Sequence, residues 1–166
     1  GSLASWSITL TLSESAPTVQ GTGAADSYST FWTSATGGYY FLGSQMVAFS
    51  GVTALRFEGS GGADTINCGS GADIVADGGG GDNVNLGAGN DTLIFDNLLD
   101  GDVYNGGAGI DTFDWSGIVT SVDYTINLTA GNWSYLASSE TVTGFENIKG
   151  ADQTGVSKET LIGNAL

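Results

Sequence analysis

The chain has 166 residues, of which 40% are hydrophobic and only 13% charged, with three Lys and Arg against 18 Asp and Glu and a net charge of −15. That length suits one domain or one elongated module with flanks. The acidity excludes nucleic acid as a partner, because phosphate contacts need a basic stripe, and it disfavours an anionic membrane surface. No apolar run is long enough to span a bilayer, so no membrane insertion is expected of this chain, and no signal peptide is visible. A single cysteine (Cys68) and the lack of histidine exclude a disulfide scaffold and a thiolate–imidazole metal centre.

Residues 1–58 read as a β-rich N-terminal flank, with Gly1-Ser2 as a cloning remnant. Ile8, Leu10 and Leu12 alternate with Ser and Thr from Ser7 to Leu12, the pattern of a half-buried strand. Pro17 ends it. Gly21 to Ser29 (GTGAADSYS) admits two readings: an isolated, degenerate copy of the nine-residue repeat that begins at Gly59, with Asp26 sixth and Tyr28 eighth, or an Asx-turn opening a strand. Thr30 to Phe49 is rich in aromatic residues, and Gly37-Gly38 predicts a hairpin. Those aromatics read first as packing residues and second as a sugar-binding platform. Val52 to Glu58 is expected to cap the repeats.

From Gly59 to Asp114 the chain counts in nines. The blocks GSGGADTIN, CGSGADIVA, DGGGGDNVN and LGAGNDTLI place Asp64, Asp73, Asp82 and Asp91 nine apart. Phe95 and Asp96 interrupt the count, and NLLDGDVYN and GGAGIDTFD restore it at Asp102 and Asp111. Position six is always Asp. Position eight is Ile66, Val75, Val84, Leu93, Tyr104 or Phe113, always apolar. A fixed short period marks a solenoid. Glycines open each block because a tight turn needs positive φ and close backbone approach. A three-residue strand follows, with its middle side chain pointing inward. Two nonads make one coil, so Asp64, Asp82 and Asp102 stack on one edge, and Asp73, Asp91 and Asp111 on the other.

Stacked carboxylates repel. Residues 59–114 contain ten acidic side chains and neither Lys nor Arg, since Arg56, Lys149 and Lys158 lie outside; the neutralising cation must come from solution. Carboxylate and main-chain carbonyl oxygens on flexible loops are hard ligands suited to Ca²⁺, whereas Mg²⁺ prefers a tighter octahedron with retained water.

At these residues the chain resembles the RTX (repeats-in-toxin, hemolysin-type calcium-binding) family, whose nonapeptide is G-G-x-G-x-D-x-U-x. The resemblance implies an all-β fold: a parallel β-roll, or right-handed β-helix of nonapeptide repeats, over residues 59–114, flanked by antiparallel strands and hairpins in 1–58 and 115–166. It further implies Ca²⁺ between successive turns, with side-chain oxygen from Asp64, Asp73, Asp82, Asp91, Asp102 and Asp111. Carbonyl donors would be Gly59, Gly61, Ser70, Gly78, Gly80, Gly87, Ala88, Gly89, Gly107 and Gly109. Edge stacking gives about four interior ions, with end sites in addition. Cys68, Asp77 and Leu86 depart from the pattern at the first-glycine position, which the family tolerates. Leu98 and Asp100 replace glycines in the fifth block, which puts the Asp102 turn in question. Cys68 is read as a tolerated substitution with a free thiol, and Asp77 as a solvated surface carboxylate rather than an extra ligand.

Beyond Asp114 the period disappears. Val122, Tyr124, Ile126 and Leu128 alternate as a strand, Thr129 to Asn132 turns, and Trp133 and Tyr135 begin the return. The segments VDYTINLTAGNW and TGFENIKGADQTG are similar to flanks of RTX repeat blocks. Thr143 to Lys149 also echoes Ser50 to Arg56, and Lys158 to Asn164 resembles another nonad opening with Glu159 in place of Asp. The chain is expected to be a piece of a larger protein.

Catalysis is not expected. Six equivalent carboxylates explain a repeat rather than one acid–base pair, no histidine activates a nucleophile, and the glycine loops lack a phosphate-binding lysine. Glycine entropy and acid repulsion oppose folding, while each nonad buries one good apolar side chain, worth about 1.5–3 kcal/mol. Metal binding would then be coupled to folding. The expected function is a calcium-binding folding, secretion and spacer element of a secreted or surface bacterial protein. Its partners are Ca²⁺ and neighbouring domains of the parent, and the resemblance adds type I secretion. The alternative is a calcium-dependent adhesin module that binds carbohydrate or a cell surface through its aromatic flanks.

Overall fold

The computed structural model describes residues 9–11, 16–95, 101–118, 123–135, 138–150 and 159–163. The expected Ser7–Leu12 strand is described only at Thr9–Thr11; Gly1, Ser2, Leu98, Asp100, Val122, Lys158 and Asn164 lie outside the described residues. Every regular element among them is a β-strand. In chain order these are β1 (Thr9–Thr11), β2 (Thr18–Gln20), β3 (Ser27–Ser34), β4 (Gly37–Leu42), β5 (Gln45–Ser50), β6 (Arg56–Glu58), β7 (Thr65–Asn67), β8 (Ile74–Ala76) and β9 (Asn83–Asn85). Then come β10 (Thr92–Ile94), β11 (Val103–Asn105), β12 (Thr112–Asp114), β13 (Tyr124–Asn127), β14 (Asn132–Tyr135), β15 (Ser138–Thr143), β16 (Asn147–Lys149) and β17 (Glu159–Ile162).

The repeat strands alternate between two sheets, as two nonads per coil require. One sheet runs β1-β5-β4-β3-β7-β9-β11-β15-β14-β13-β17, the other β16-β12-β10-β8-β6-β2. Within the repeats all pairing is parallel. Thr65 lies beside Asn83, and Ile74 beside Thr92, each 18 residues on. Across the interruption the step is 20 in both sheets, Asn83 beside Val103 and Thr92 beside Thr112. The two extra residues therefore shift both ladders equally and break neither.

The roll extends past the nonads at both ends. Before them, β2 pairs with β6, and the first three residues of β3 pair in register with β7, Tyr28 beside Ile66. Gly21–Ser29 is thus a true turn of the coil. Its Asp26 accepts from the Thr22 amide at 2.6 Å, four residues back rather than two residues on, so the bond is not that of an Asx-turn. Strand β6 lies between β2 and β8; Val52 to Glu58 belongs to an inner coil and is not the cap. After the nonads, β15 pairs with β11 and β16 with β12, so the coil outlasts the glycine pattern. Phe57 and Ile148 take equivalent places in their sheet, two residues out of step with the echo between Ser50–Arg56 and Thr143–Lys149.

Antiparallel hairpins extend the first sheet at each end. Strands β3 and β4 turn at Ala35-Thr36, and Gly37 and Gly38 begin β4. A side chain at Gly38 would meet the Phe31 carbonyl at 2.2 Å. At the other end, strands β13 and β14 form a hairpin, Ile126 facing Trp133.

Strand alternation explains the core. Position eight of every repeat is buried. Two residues on, the side chain points inward again, so position one is a second core row: Cys68, Asp77, Leu86 and Phe95 are buried, followed by Gly106 and Trp115. Position one is therefore an interior site, and Cys68 is a core residue. Phe95 keeps the repeat bond, its amide donating to the Asp114 carbonyl at 2.9 Å as Leu86 does to Asn105, so it belongs to the repeat and is not part of the interruption. It stacks on Trp115 at 4.3 Å and meets Trp133 edge-on at 5.3 Å. One apolar cluster runs from Val19 to Phe145.

Candidate metal centre

The glycine loops stack because of two backbone positions. Position two has φ between 74° and 100° at Ser60, Gly69, Gly78, Gly87 and Gly107, and position four lies between 96° and 147° at Gly62, Gly71, Gly80, Gly89 and Gly109. Crowding enforces glycine at position four: a Cβ on Gly89 would sit 1.6 Å from the Gly71 carbonyl, and one on Gly109 would sit 1.5 Å from that of Gly89. Position three tolerates Ser70, Ala88 and Ala108, which bridge successive loops. Gly61 does the same with Gly79.

This stacking builds two carboxylate ladders. On one edge the Asp26 amide donates to Asp64 Oδ1, the Asp64 amide to Asp82 Oδ1, and the Asp82 amide to Asp102 Oδ1, each at 2.7 Å. On the other, the Leu55 amide donates to Asp73 at 2.7 Å, the Asp73 amide to Asp91 at 2.8 Å, and the Asp91 amide to Asp111 at 2.8 Å. The two predicted triads of Asp are thus brought together as triads. The predicted carbonyl residues fall in the same loops: Gly59, Gly61, Gly78 and Gly80 lead into Asp64 and Asp82, and Ser70, Gly87, Ala88, Gly89, Gly107 and Gly109 into Asp73, Asp91 and Asp111. The carbonyls of Gly87 and Ala88 already accept from the Ala108 and Gly71 amides, but a carbonyl oxygen has a second lone pair.

Each ladder bond uses one carboxylate oxygen. The other, Oδ2, is buried without a donor at Asp64, Asp73, Asp91 and Asp111. Leaving an ionised oxygen buried and unmatched is costly, and such groups take a proton, a partner or a metal. Burial, with the neighbouring carboxylate's charge adding to it, pushes Asp73 and Asp91 up to about 7 against the amide bonds that oppose the rise. Burial raises Asp64 and Asp111 as well. Neither described basic side chain compensates: Arg56 pairs with Glu58, and Lys149 with Asp114 at 2.8 Å. An all-oxygen, multiply anionic, glycine-lined edge fits a hard divalent cation such as Ca²⁺.

Comparison of the chain with protein-family models, curated proteins and solved structures returned no match. Its chemistry is read from its own residues.

Asp77 is not on the surface. It is 1% exposed, and the Tyr104 hydroxyl lies 2.5 Å from its Oδ2 and 2.7 Å from Asp102 Oδ2. Oxygens of Asp77, Asp82 and Asp102 lie within 4.8 Å of one another, a group able to hold a metal ion. Burial and the charges of Asp77 and Asp102 raise the Tyr104 hydroxyl far above its usual range, so it stays protonated.

Two further ladder members were missed from sequence. Glu146 Oε2 accepts from the Asp111 amide at 2.8 Å, and Glu140 Oε1 from the Gly101 amide at 3.2 Å. The signal was present: an acid two residues before an inward apolar residue, Glu140 before Val142 and Glu146 before Ile148, as Asp111 stands before Phe113.

Proposed function

We propose that this chain is a calcium-binding β-roll module of RTX type from a larger secreted or surface bacterial protein. It folds when Ca²⁺ becomes available outside the cell and then serves as a folding, secretion and spacer element. The observation that carries the reading is the row of buried Oδ2 atoms at Asp64, Asp73, Asp91 and Asp111, repeated in register where the glycine loops stack. When bound, the cation supplies positive charge, and the carboxylates and loop carbonyls supply its oxygen shell. The ten acids of residues 59–114 would hold the repeats apart without it, which keeps the chain threadable where calcium is scarce. Position-six ligands are Asp64, Asp73, Asp82, Asp91, Asp102 and Asp111, completed by the loop carbonyls, and none is assigned to catalysis.

Calcium titration followed by circular dichroism, with Mg²⁺ as control, tests this. A cooperative gain of β-structure with Ca²⁺ and a weak response to Mg²⁺ are expected. A fully dispersed native spectrum of the repeats in excess chelator at pH 8 would overturn the coupling of metal to folding.

The adhesin reading retains one supporting feature. Phe31 and Tyr39 face each other across β3 and β4 and are 67% and 39% exposed, whereas Trp133 is buried with its indole donating to Glu140 at 2.6 Å. Glycan binding that needs Ca²⁺ and disappears in Phe31→Ala would favour it.

A further inference from the structure

We propose that the Asp73–Asp91–Asp111 ladder continues through Glu146, and that a divalent cation bound between Asp111 and Glu146 ties the last coil to the repeats. The inference rests on the calcium reading above and adds a site outside the nonapeptides. Three observations carry it. Glu146 does for Asp111 what Asp111 does for Asp91, taking the amide at 2.8 Å in each case. Asp111 is fully buried, and its Oδ2 has no donor, so the space between the two carboxylates is short of positive charge. The loop entering β16 is also stacked as a glycine loop is: Gly144 has φ 68°, and its carbonyl would stand 2.1 Å from a Cβ on Gly106. That carbonyl belongs to the same loop as Glu146, and the loop lies over residues 106–111.

The other edge ends differently. There Glu140 takes the Trp133 indole N–H at 2.6 Å and the Gly101 amide at 3.2 Å, so hydrogen-bond donors meet its carboxylate. Lys149, the basic residue nearest Glu146 in sequence, is held by Asp114 at 2.8 Å. One ladder closes on an indole, the other on a cation.

Equilibrium dialysis of the full chain against Ca²⁺ should show one ion fewer in Glu146→Gln than in the parent, with the remaining ions bound as before. Equal stoichiometry and affinity in the two proteins would overturn the inference and leave the proposed function standing. A parent that binds no calcium would sink both. If Glu146→Gln does not fold at saturating Ca²⁺, parent crystals grown with terbium decide. An anomalous peak bridging Asp111 and Glu146 supports the site, and peaks at the nonapeptide turns alone overturn it.

Discussion

Replacing Asp91 by Asn separates a structural carboxylate from one that exists to hold a cation. Asp91 is the middle rung of its ladder: Oδ1 takes the Asp73 amide, and Oδ2 is buried without a donor. The amide keeps the size and the Oδ1 acceptor and removes the charge. Folding without metal at pH 8 would require this carboxylate to stay ionised although its environment favours the proton up to about 7, a cost on the order of 4 kcal/mol. Weakening one charge-assisted bond to a neutral one gives back roughly 1 kcal/mol, and the new amide hydrogens need acceptors, so a net gain of roughly 1–3 kcal/mol remains. Metal-free Asp91→Asn should therefore be more stable than the parent. With calcium the sign reverses, because Asp91 is shared by the turns on either side: apparent affinity should fall by about tenfold or more, roughly 1.4 kcal/mol per decade. Osmolyte-driven folding of the two chains in chelator at pH 8, and calcium titrations of both, measure the two effects. A variant that is less stable without calcium and unchanged in its calcium midpoint would show that Asp91 stabilises its turn and holds no cation, which would refute the metal role of the ladder.

Protons should substitute in part for the cation. Because Asp73 and Asp91 are raised to about 7 from an ordinary 3.8, the folded metal-free chain binds more protons than the unfolded one. The stability these two carboxyls contribute is fully present below about pH 4 and is lost as pH rises through about 7; in chelator, β-structure should be gained at pH 4 and lost by pH 8, and calcium added at pH 6 should release protons. Gly109→Ala forces a side chain to within 1.5 Å of the Gly89 carbonyl at a φ of 147°, and should destabilise the calcium-loaded protein by on the order of 3 kcal/mol or more in denaturant unfolding. Phe95→Ala removes the ring packed against Trp115, Trp133, Tyr104 and Phe113. It should cost about 3–5 kcal/mol in the same assay, and a loss below about 1 kcal/mol would mean that the aromatic cluster is not part of the cooperative unit.

The roll was legible because its period is backed by geometry at every level. Glycine at positive φ, Asp at the loop end and an apolar residue two places later are separate requirements; the last two mark all six blocks, and glycine at position four marks five. The hairpins were legible from alternation, as with Tyr124, Ile126 and Leu128. What escaped were the positions where the fold asks for less. Position one carries Gly, Cys, Asp, Leu and Phe in turn, and only strand alternation continued past the third residue places it indoors. Asp77 was misplaced for that reason: an acid in a glycine loop looks solvated until Tyr104 is found against it. The outer coils escaped because they keep too few of the glycines to continue the period. Leu55 fills the place of an Asp by offering its amide alone, and Glu140, within β15, and Glu146, in the loop before β16, reach with a longer side chain.

The ladders also have an arrow. Each rung's amide is met by the carboxylate of the coil after it, from Leu55 to Asp73, Asp91, Asp111 and Glu146. Trimming a ladder from the front therefore leaves a carboxylate oxygen without its amide donor, whereas trimming it from the back leaves an amide N–H without its carboxylate acceptor. The two open ends of such a stack thus differ in chemistry: one presents a bare carboxylate oxygen, the other an N–H that needs an acceptor.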